Sequence, residues 1–253
     1  MRKRIQEKLR AVEKEYGVSI LLACETGSRA WGFSSPDSDY DVRFIYRHPA
    51  SNYLALNEPQ DHIEYLKEDL DLVGWDVRKS LKLLLKSNAA MFERLQSPII
   101  YQQQGNFRKQ LQALAPAYFS GQAGLHHYAS MAFNYYKTCV PAEAVKLKSY
   151  FYLLRTTLAS LWIVEKCRIP PMWFQELLPL VQDARIKNKI DELLLLKAEM
   201  NETYLHPKEA ALEQYCWQIL NYCEPFKNAF TSPLGAVQKL NNLFRTIITE
   251  PWP

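Results

Sequence analysis

The sequence predicts an α/β unit followed by an all-α unit, and three observations carry that reading. Short apolar runs at 18–24, 39–46 and 70–77 read as strands, the second through β-branched and aromatic Val42, Phe44 and Ile45 and the third through alternation around Asp71. Between and after them, to about residue 96, apolar residues recur at helical spacing. From Phe107 onward the patterns are almost entirely helical, broken by Pro116, Gly121 and Gly124, Pro141, Pro170-Pro171, Pro179, Pro207 and Pro233. Gln102-Gln103-Gln104-Gly105-Asn106 reads as the linker, which sets expected boundaries of 1–105 and 106–253. A chain of 253 residues has room for one large or two modest domains.

Taken in order, residues 2–15 place Ile5, Leu9 and Val12 at helical spacing, and Gly17 stands where that helix stops. Val18 to Cys24 is a short apolar strand. Asp39 to Tyr46 is a second, with Val42, Phe44 and Ile45 as its apolar body. Arg47 to Gln60 is polar and contains proline, which suits a loop or short helix near a site. Leu70 to Val77 alternates as a strand around Asp71, and Lys79 to Leu95 carries a helical stripe that Ser97-Pro98 ends. Glu64, Glu68 and Asp69 read as solvated charge. On the helix Val145 to Trp162, Leu147, Phe151, Leu154, Leu158 and Trp162 form a core stripe. Lys148, Tyr152 and Arg155 fall on another face, either a solvated basic face or a clamp for phosphate or a base. His127, Ser130, Asn134 and Lys137 share a polar face on the preceding helix. Residues 172–253 read as packing helices and a tail.

The chemistry concentrates in Gly27-Ser28-Arg29-Ala30-Trp31-Gly32-Phe33 and the Ser-Ser-Pro-Asp-Ser-Asp-Tyr-Asp stretch that follows. Residues two apart on a strand share a face, so Asp39 and Asp41 stand side by side. Two adjacent carboxylates repel unless a cation separates them or one is protonated. Magnesium suits hard oxygen ligands and keeps positions open for phosphate. Gly27, without a Cβ, lets a phosphate approach the backbone where strand turns to helix, and Ser28 adds a hydroxyl donor. A plain surface turn accounts for Asp37 and Ser38, but not for a second carboxylate inside an apolar strand.

On these residues the chain resembles the DNA polymerase β superfamily of nucleotidyltransferases, whose signature is Gly-Ser, a spacer and Asp-x-Asp. It is most similar to the subgroup of predicted nucleotidyltransferases associated with RNA repair, through Gly27–Gly32, Ser38–Asp41, Gly74–Lys79, Ser97–Tyr101 and Lys146–Arg155. The resemblance implies a small mixed sheet of the nucleotidyltransferase type with a helical partner. It also implies transfer of a nucleoside monophosphate from a nucleoside triphosphate to a hydroxyl, with Mg2+ or Mn2+, and as acceptor an RNA end, of tRNA or another RNA. It calls for a third metal-binding carboxylate on a neighbouring strand. Asp71 and Asp76 are the two candidates; Asp71 is preferred as ligand and Asp76 as helix cap. The expected site is then Asp39, Asp41 and Asp71 for the metal, and Gly27, Ser28, Arg29, Lys148, Tyr152 and Arg155 for the nucleotide. Nucleotidylation of a protein or small molecule is the competing activity, and a non-catalytic nucleotide-binding module the competing class.

Composition bounds the setting. The net charge of +4 is compatible with a nucleic-acid partner but too small to demonstrate one. Cys24, Cys139, Cys167, Cys216 and Cys223 are scattered and odd in number, which points away from a disulfide framework and a zinc site. No apolar run reaches membrane-span length, and the basic N-terminus lacks an apolar signal region. The expected location is the cytoplasm, with no membrane partner.

Overall fold

The computed structural model describes residues 1–67, 69–230 and 235–252; Glu68, Pro233 and the final Pro253 lie outside the described residues. In chain order its elements are α1 (Arg2–Tyr16), β1 (Ser19–Glu25), α2 (Gly27–Trp31), β2 (Tyr40–Arg47), α3 (Ala50–Tyr53), β3 (His62–Lys67) and β4 (Leu70–Asp76). There follow α4 (Val77–Leu85), α5 (Ala89–Gln96), β5 (Ile100–Gln103), α6 (Phe107–Leu114), α7 (Gly121–Cys139) and β6 (Ala144–Lys146). The chain closes with α8 (Leu147–Lys166), α9 (Ala184–Glu199), β7 (Leu205–Pro207), α10 (Ala210–Cys223) and α11 (Val237–Thr249). The fold is mixed α+β, as the sequence predicts.

The chain forms two compact units, and they do not follow the expected split at residue 105. The first unit comprises Met1–Gly27, Asp39–Tyr118 and Pro233–Pro253; the second comprises Ser28–Ser38 and Phe119–Ser232.

The first unit is built on a five-stranded sheet ordered β3-β4-β2-β1-β5. β2 and β4 run parallel, and the other neighbouring pairs are antiparallel. Ile5, Leu9 and Val12 of α1 pack on Ile20, Ala23, Val42, Phe44, Tyr46, Ile63 and Leu72, which form one buried cluster. β3 and β5 are not among the strands that the sequence predicts. β5 is only four residues long and ends in two glutamines, with a third just after it, so its composition looks like linker; pairing with β1 makes it a strand. α6 stays with this unit because Arg108 donates to the carbonyls of Leu95 and Ser97. The expected helix 79–95 is two helices, broken where Ser87 takes a φ of 55°.

The C-terminal segment also returns to the first unit. Arg47, fully buried, donates to the carbonyls of Ile247, Glu250 and Pro251 beyond and within the last turn of α11. Tyr53 meets Phe244 edge to face, and α11 packs on α4.

The second unit centres on α7, α8 and α10. α8 is buried nearly all round: besides Leu147, Phe151, Leu154 and Leu158 of its expected stripe it hides Tyr150, Leu153, Arg155, Thr156, Thr157, Ala159 and Ser160, while Trp162 is half-buried. A two-stranded ribbon, β6 with β7, breaks the all-α expectation, each strand being only three residues long. The segment 28–38 is anchored here by aromatic rings. Phe33 stacks on Phe151 with centroids 5.2 Å apart and meets Phe174 edge-on at 5.6 Å. Gly32, at φ 89°, lies where any Cβ would collide with the indole of Trp173.

Candidate active site

In the first unit the carboxylates are set by strand register. Parallel pairing of β2 and β4 places Asp41 directly opposite Asp71. Their side chains are joined through Arg43, whose Nη2 lies 3.1 Å from Asp41 Oδ1 and 2.7 Å from Asp71 Oδ2. Arg43 follows Asp41 by two residues and so lies on the same strand face. Burial pushes the Asp41 carboxyl above its usual range; Arg43 opposes that shift, and the charges of Asp71 and Asp39 add to it. Asp39, one residue before β2, is exposed.

The backbone around Asp41 is pinned from β1. Its N–H donates to Glu25 Oε1 at 2.7 Å, and its carbonyl accepts from the N–H and the hydroxyl of Thr26. Glu25 is fully buried, and its other oxygen accepts from the Tyr101 hydroxyl. Gly27 has φ 63°, and a Cβ on it would collide with the carboxylate of Asp41. The sequence predicts that Gly27 makes room for a phosphate; in the structure the space a Cβ would need is taken by Asp41.

Asp76 has a different position. It is buried at the end of β4, accepts from the N–H of Arg78 at 2.7 Å as the N-cap of α4, and accepts from the Tyr53 hydroxyl at 2.5 Å. Burial raises its carboxyl despite the Tyr53 hydrogen bond. The Gly74–Lys79 motif is therefore architectural at these positions: Gly74 yields space to the ring of Phe44, Trp75 lies under the Arg94 guanidinium, and Asp76 starts a helix.

In the second unit, Ser28 Oγ donates to Ser38 Oγ at 3.2 Å, and Arg29 Nε donates to the Ser38 carbonyl at 3.1 Å. Ser38 Oγ donates to Glu202 Oε1 at 2.5 Å, while Lys148 Nζ lies 2.9 Å from Glu202 Oε2. Lys197, with its side chain 2% exposed, reaches both Glu202 Oε1 and Ser35 Oγ. Ser28, Arg29 and Lys148 thus belong to one polar network.

Arg155 does not share an exposed face with Lys148. It is buried, donates from Nε to the Met172 carbonyl at 3.3 Å, and lies 4.3 Å over the ring of Trp31. Tyr152 is stacked on Tyr135 at 5.1 Å and meets Trp31 edge-on at 5.3 Å. Helical spacing gives a face but not its surroundings, and a helix enclosed by neighbours buries its basic residues too. His127 contacts the ring of Tyr128, and Lys137 lies over Phe133.

Sequence reasoning missed Glu25, Glu202 and Lys197. Glu25 carries a local signal, a carboxylate ending the apolar strand Ser19–Cys24 just before Thr26-Gly27-Ser28. Glu202 and Lys197 carry none, being more than 150 residues from their partners in the signature.

Among the described residues no group of three His, Cys, Asp or Glu side chains is arranged to hold a metal ion as it stands. The donor set nonetheless suits a hard cation. Asp41 and Asp71 present carboxylate oxygens to a common cationic group, the Arg43 guanidinium, so the space between them accepts positive charge. No described helix is long and apolar enough to cross a membrane, and all five cysteines are free, with Cys24, Cys139, Cys216 and Cys223 buried and Cys167 exposed.

Comparison with known proteins agrees with the signature. The chain is 37% identical to the uncharacterized protein YcgL of Bacillus subtilis (strain 168) over 255 residues, covering 100% of this chain and 98% of that protein. A crystal structure of a nucleotidyltransferase-like protein from Exiguobacterium sibiricum 255-15 matches 98% of this chain and 82% of its own, at 16% identity and a TM-score of 0.31. The model for RlaP, the RNA repair pathway DNA polymerase beta family, matches residues 1–246. The chain belongs to this family and is a nucleotidyltransferase of the polymerase β type.

Proposed function

We propose that the protein transfers a nucleoside monophosphate from a nucleoside triphosphate to a hydroxyl at an RNA end, releasing pyrophosphate. The observation that carries this reading is the in-register pair Asp41 and Asp71, sharing one cationic partner, with Asp39 two residues upstream. A module that only bound nucleotide would have no use for carboxylates crowded at the cost of repulsion. The RNA acceptor is supported by the family description.

Asp39, Asp41 and Asp71 would hold Mg2+ or Mn2+. When bound, such ions polarise the phosphoryl group and activate the acceptor hydroxyl. Glu25 and Thr26 fix the backbone of Asp41, so its carboxylate is aimed before any ligand arrives. Ser28 and Lys148 supply donors to the triphosphate, and Arg29 braces the turn through Ser38. Tyr152 and Arg155 support the nucleotide-binding segment through Trp31. The free thiols fit a reducing, cytoplasmic setting.

The experiment is incubation with each α-labelled nucleoside triphosphate, Mg2+ or Mn2+, and separate RNA, protein and aminoglycoside acceptors. Label on RNA ends supports the reading. Label on protein or aminoglycoside alone transfers the same chemistry to another acceptor.

A further inference from the structure

Glu202 sits in the short connection between α9 and β7, far in sequence from the Gly-Ser signature, yet it organises that signature. One oxygen takes Ser38 Oγ at 2.5 Å and Lys197 Nζ at 3.3 Å; the other takes Lys148 Nζ at 2.9 Å. Its own N–H donates to Asp37 Oδ1 at 2.9 Å. Burial of Lys197 accounts for one counter-ion oxygen. It does not account for the second, spent on a lysine whose side chain is 37% exposed.

The hydroxyl protons can be counted. Ser38 has one proton, given to Glu202, and its oxygen accepts the N–H of Ser35 at 2.9 Å. The Ser28–Ser38 bond must therefore use the proton of Ser28. At 3.2 Å between neutral groups it is a weak bond, and an anionic phosphate oxygen is the stronger acceptor. Lys148 likewise has only one of its three protons directed at Glu202, leaving donors to spare. Lys148, Lys197 and Glu202 together keep one surplus positive charge.

We propose that Glu202 is a positioning residue for the triphosphate, acting through Lys148 and through the Ser38–Ser28 hydroxyl pair. This rests on the nucleotidyl-transfer reading and adds to it a residue that the signature does not contain. Glu202 presents one lysine and one serine proton as a preset phosphate seat, and only those two groups touch the ligand.

The test is a double-mutant cycle of Glu202→Gln and Lys148→Ala, read as the dissociation constant of the α,β-methylene analogues of ATP, GTP, CTP and UTP. Each single change should weaken binding of the preferred analogue about tenfold, as for a lost charge-assisted hydrogen bond. In the Lys148→Ala background, Glu202→Gln should add no more than about fivefold, the share left to the Ser38–Ser28 pair, because Glu202 and Lys148 otherwise act as a unit. If Glu202→Gln does not fold, Ser38→Ala takes its place, with an expected weakening of about fivefold through Ser28 alone. Multiplying losses, or unchanged affinity with a lowered melting temperature, would overturn the proposal and make Glu202 a brace of the fold. Asp41→Asn, assayed for transfer in parallel, separates the two claims. Its inactivity alongside a flat cycle leaves nucleotidyl transfer standing and removes Glu202 from it. A wild-type protein that binds no triphosphate overturns both.

Discussion

Asp41 and Asp71 lie directly opposite each other on parallel neighbouring strands, tied together by the guanidinium of Arg43. Arg43 thus holds the place of a cation between two carboxylates that would otherwise repel. Replacing it by glutamine should lower the stability of the metal-free protein by about 1–2 kcal/mol, the scale of a partly buried charge-assisted bond. The same change should enlarge the rise in melting temperature caused by Mn2+, since the ion no longer competes with an internal cation. Calorimetry of wild type and Arg43→Gln, in chelator and in Mn2+, measures both effects. A smaller Mn2+ shift in the mutant would contradict this role.

Asp76 and Asp71 should separate cleanly. Asp76→Ala removes a helix cap and the acceptor of the Tyr53 hydroxyl, so a stability loss of about 1–3 kcal/mol is expected, with transfer retained by the folded fraction. Asp71→Asn should abolish transfer with a smaller stability change. Denaturant titration beside an activity assay decides it, and a reversed pattern would exchange the two assignments.

Glu202 also predicts a pH dependence. Burial alone would raise its carboxyl, but the hydrogen bonds from Lys148 and Ser38 and the charge of Lys197 outweigh it and pull the value from 4.5 down to about 2. A carboxyl depressed in the folded state contributes stability that is full above its unfolded value and is lost as pH falls through its folded value. The contribution, at most about 3 kcal/mol, should therefore fade between about pH 4.5 and 2. Unfolding free energies of wild type and Glu202→Gln should converge across that window. Parallel curves would mean that Glu202 is not ionised against these lysines.

Arg47 predicts that the C-terminus is part of the first unit. Arg47→Met keeps much of the apolar stem but leaves the carbonyls of Ile247, Glu250 and Pro251 without their donor. A loss of about 2–4 kcal/mol is expected, from several buried hydrogen bonds to a charged group. Amide hydrogen exchange should show α11 losing protection first. Unchanged protection in α11 would show that its packing on α4 suffices.

The α/β core and the carboxylate pair were legible because both depend on local pattern. Alternation in Tyr40–Arg47 gives the strand, and the two-residue period places Asp41 and Arg43 on one face, whereas Asp39 falls just before the strand. The turn Gly17 and the cap Asp76 were equally local. What stayed hidden depends on contacts far apart in sequence. β5 is a strand because β1 offers it partners, although its glutamines read as linker. Arg155 is buried because α8 is enclosed, which helical spacing cannot express. The return of α11 to Arg47 spans 200 residues, and nothing in a C-terminal helix pattern names its partner.

The account is tested most directly by following the label from α-labelled and γ-labelled nucleoside triphosphates in wild type, Asp41→Asn and Asp71→Asn, each with Mg2+ or Mn2+ and an RNA acceptor. The account predicts that α-label, and no γ-label, enters the acceptor with wild type, and that neither mutant transfers it although both fold. Transfer of γ-label, or α-label transfer undiminished in Asp41→Asn, would contradict it.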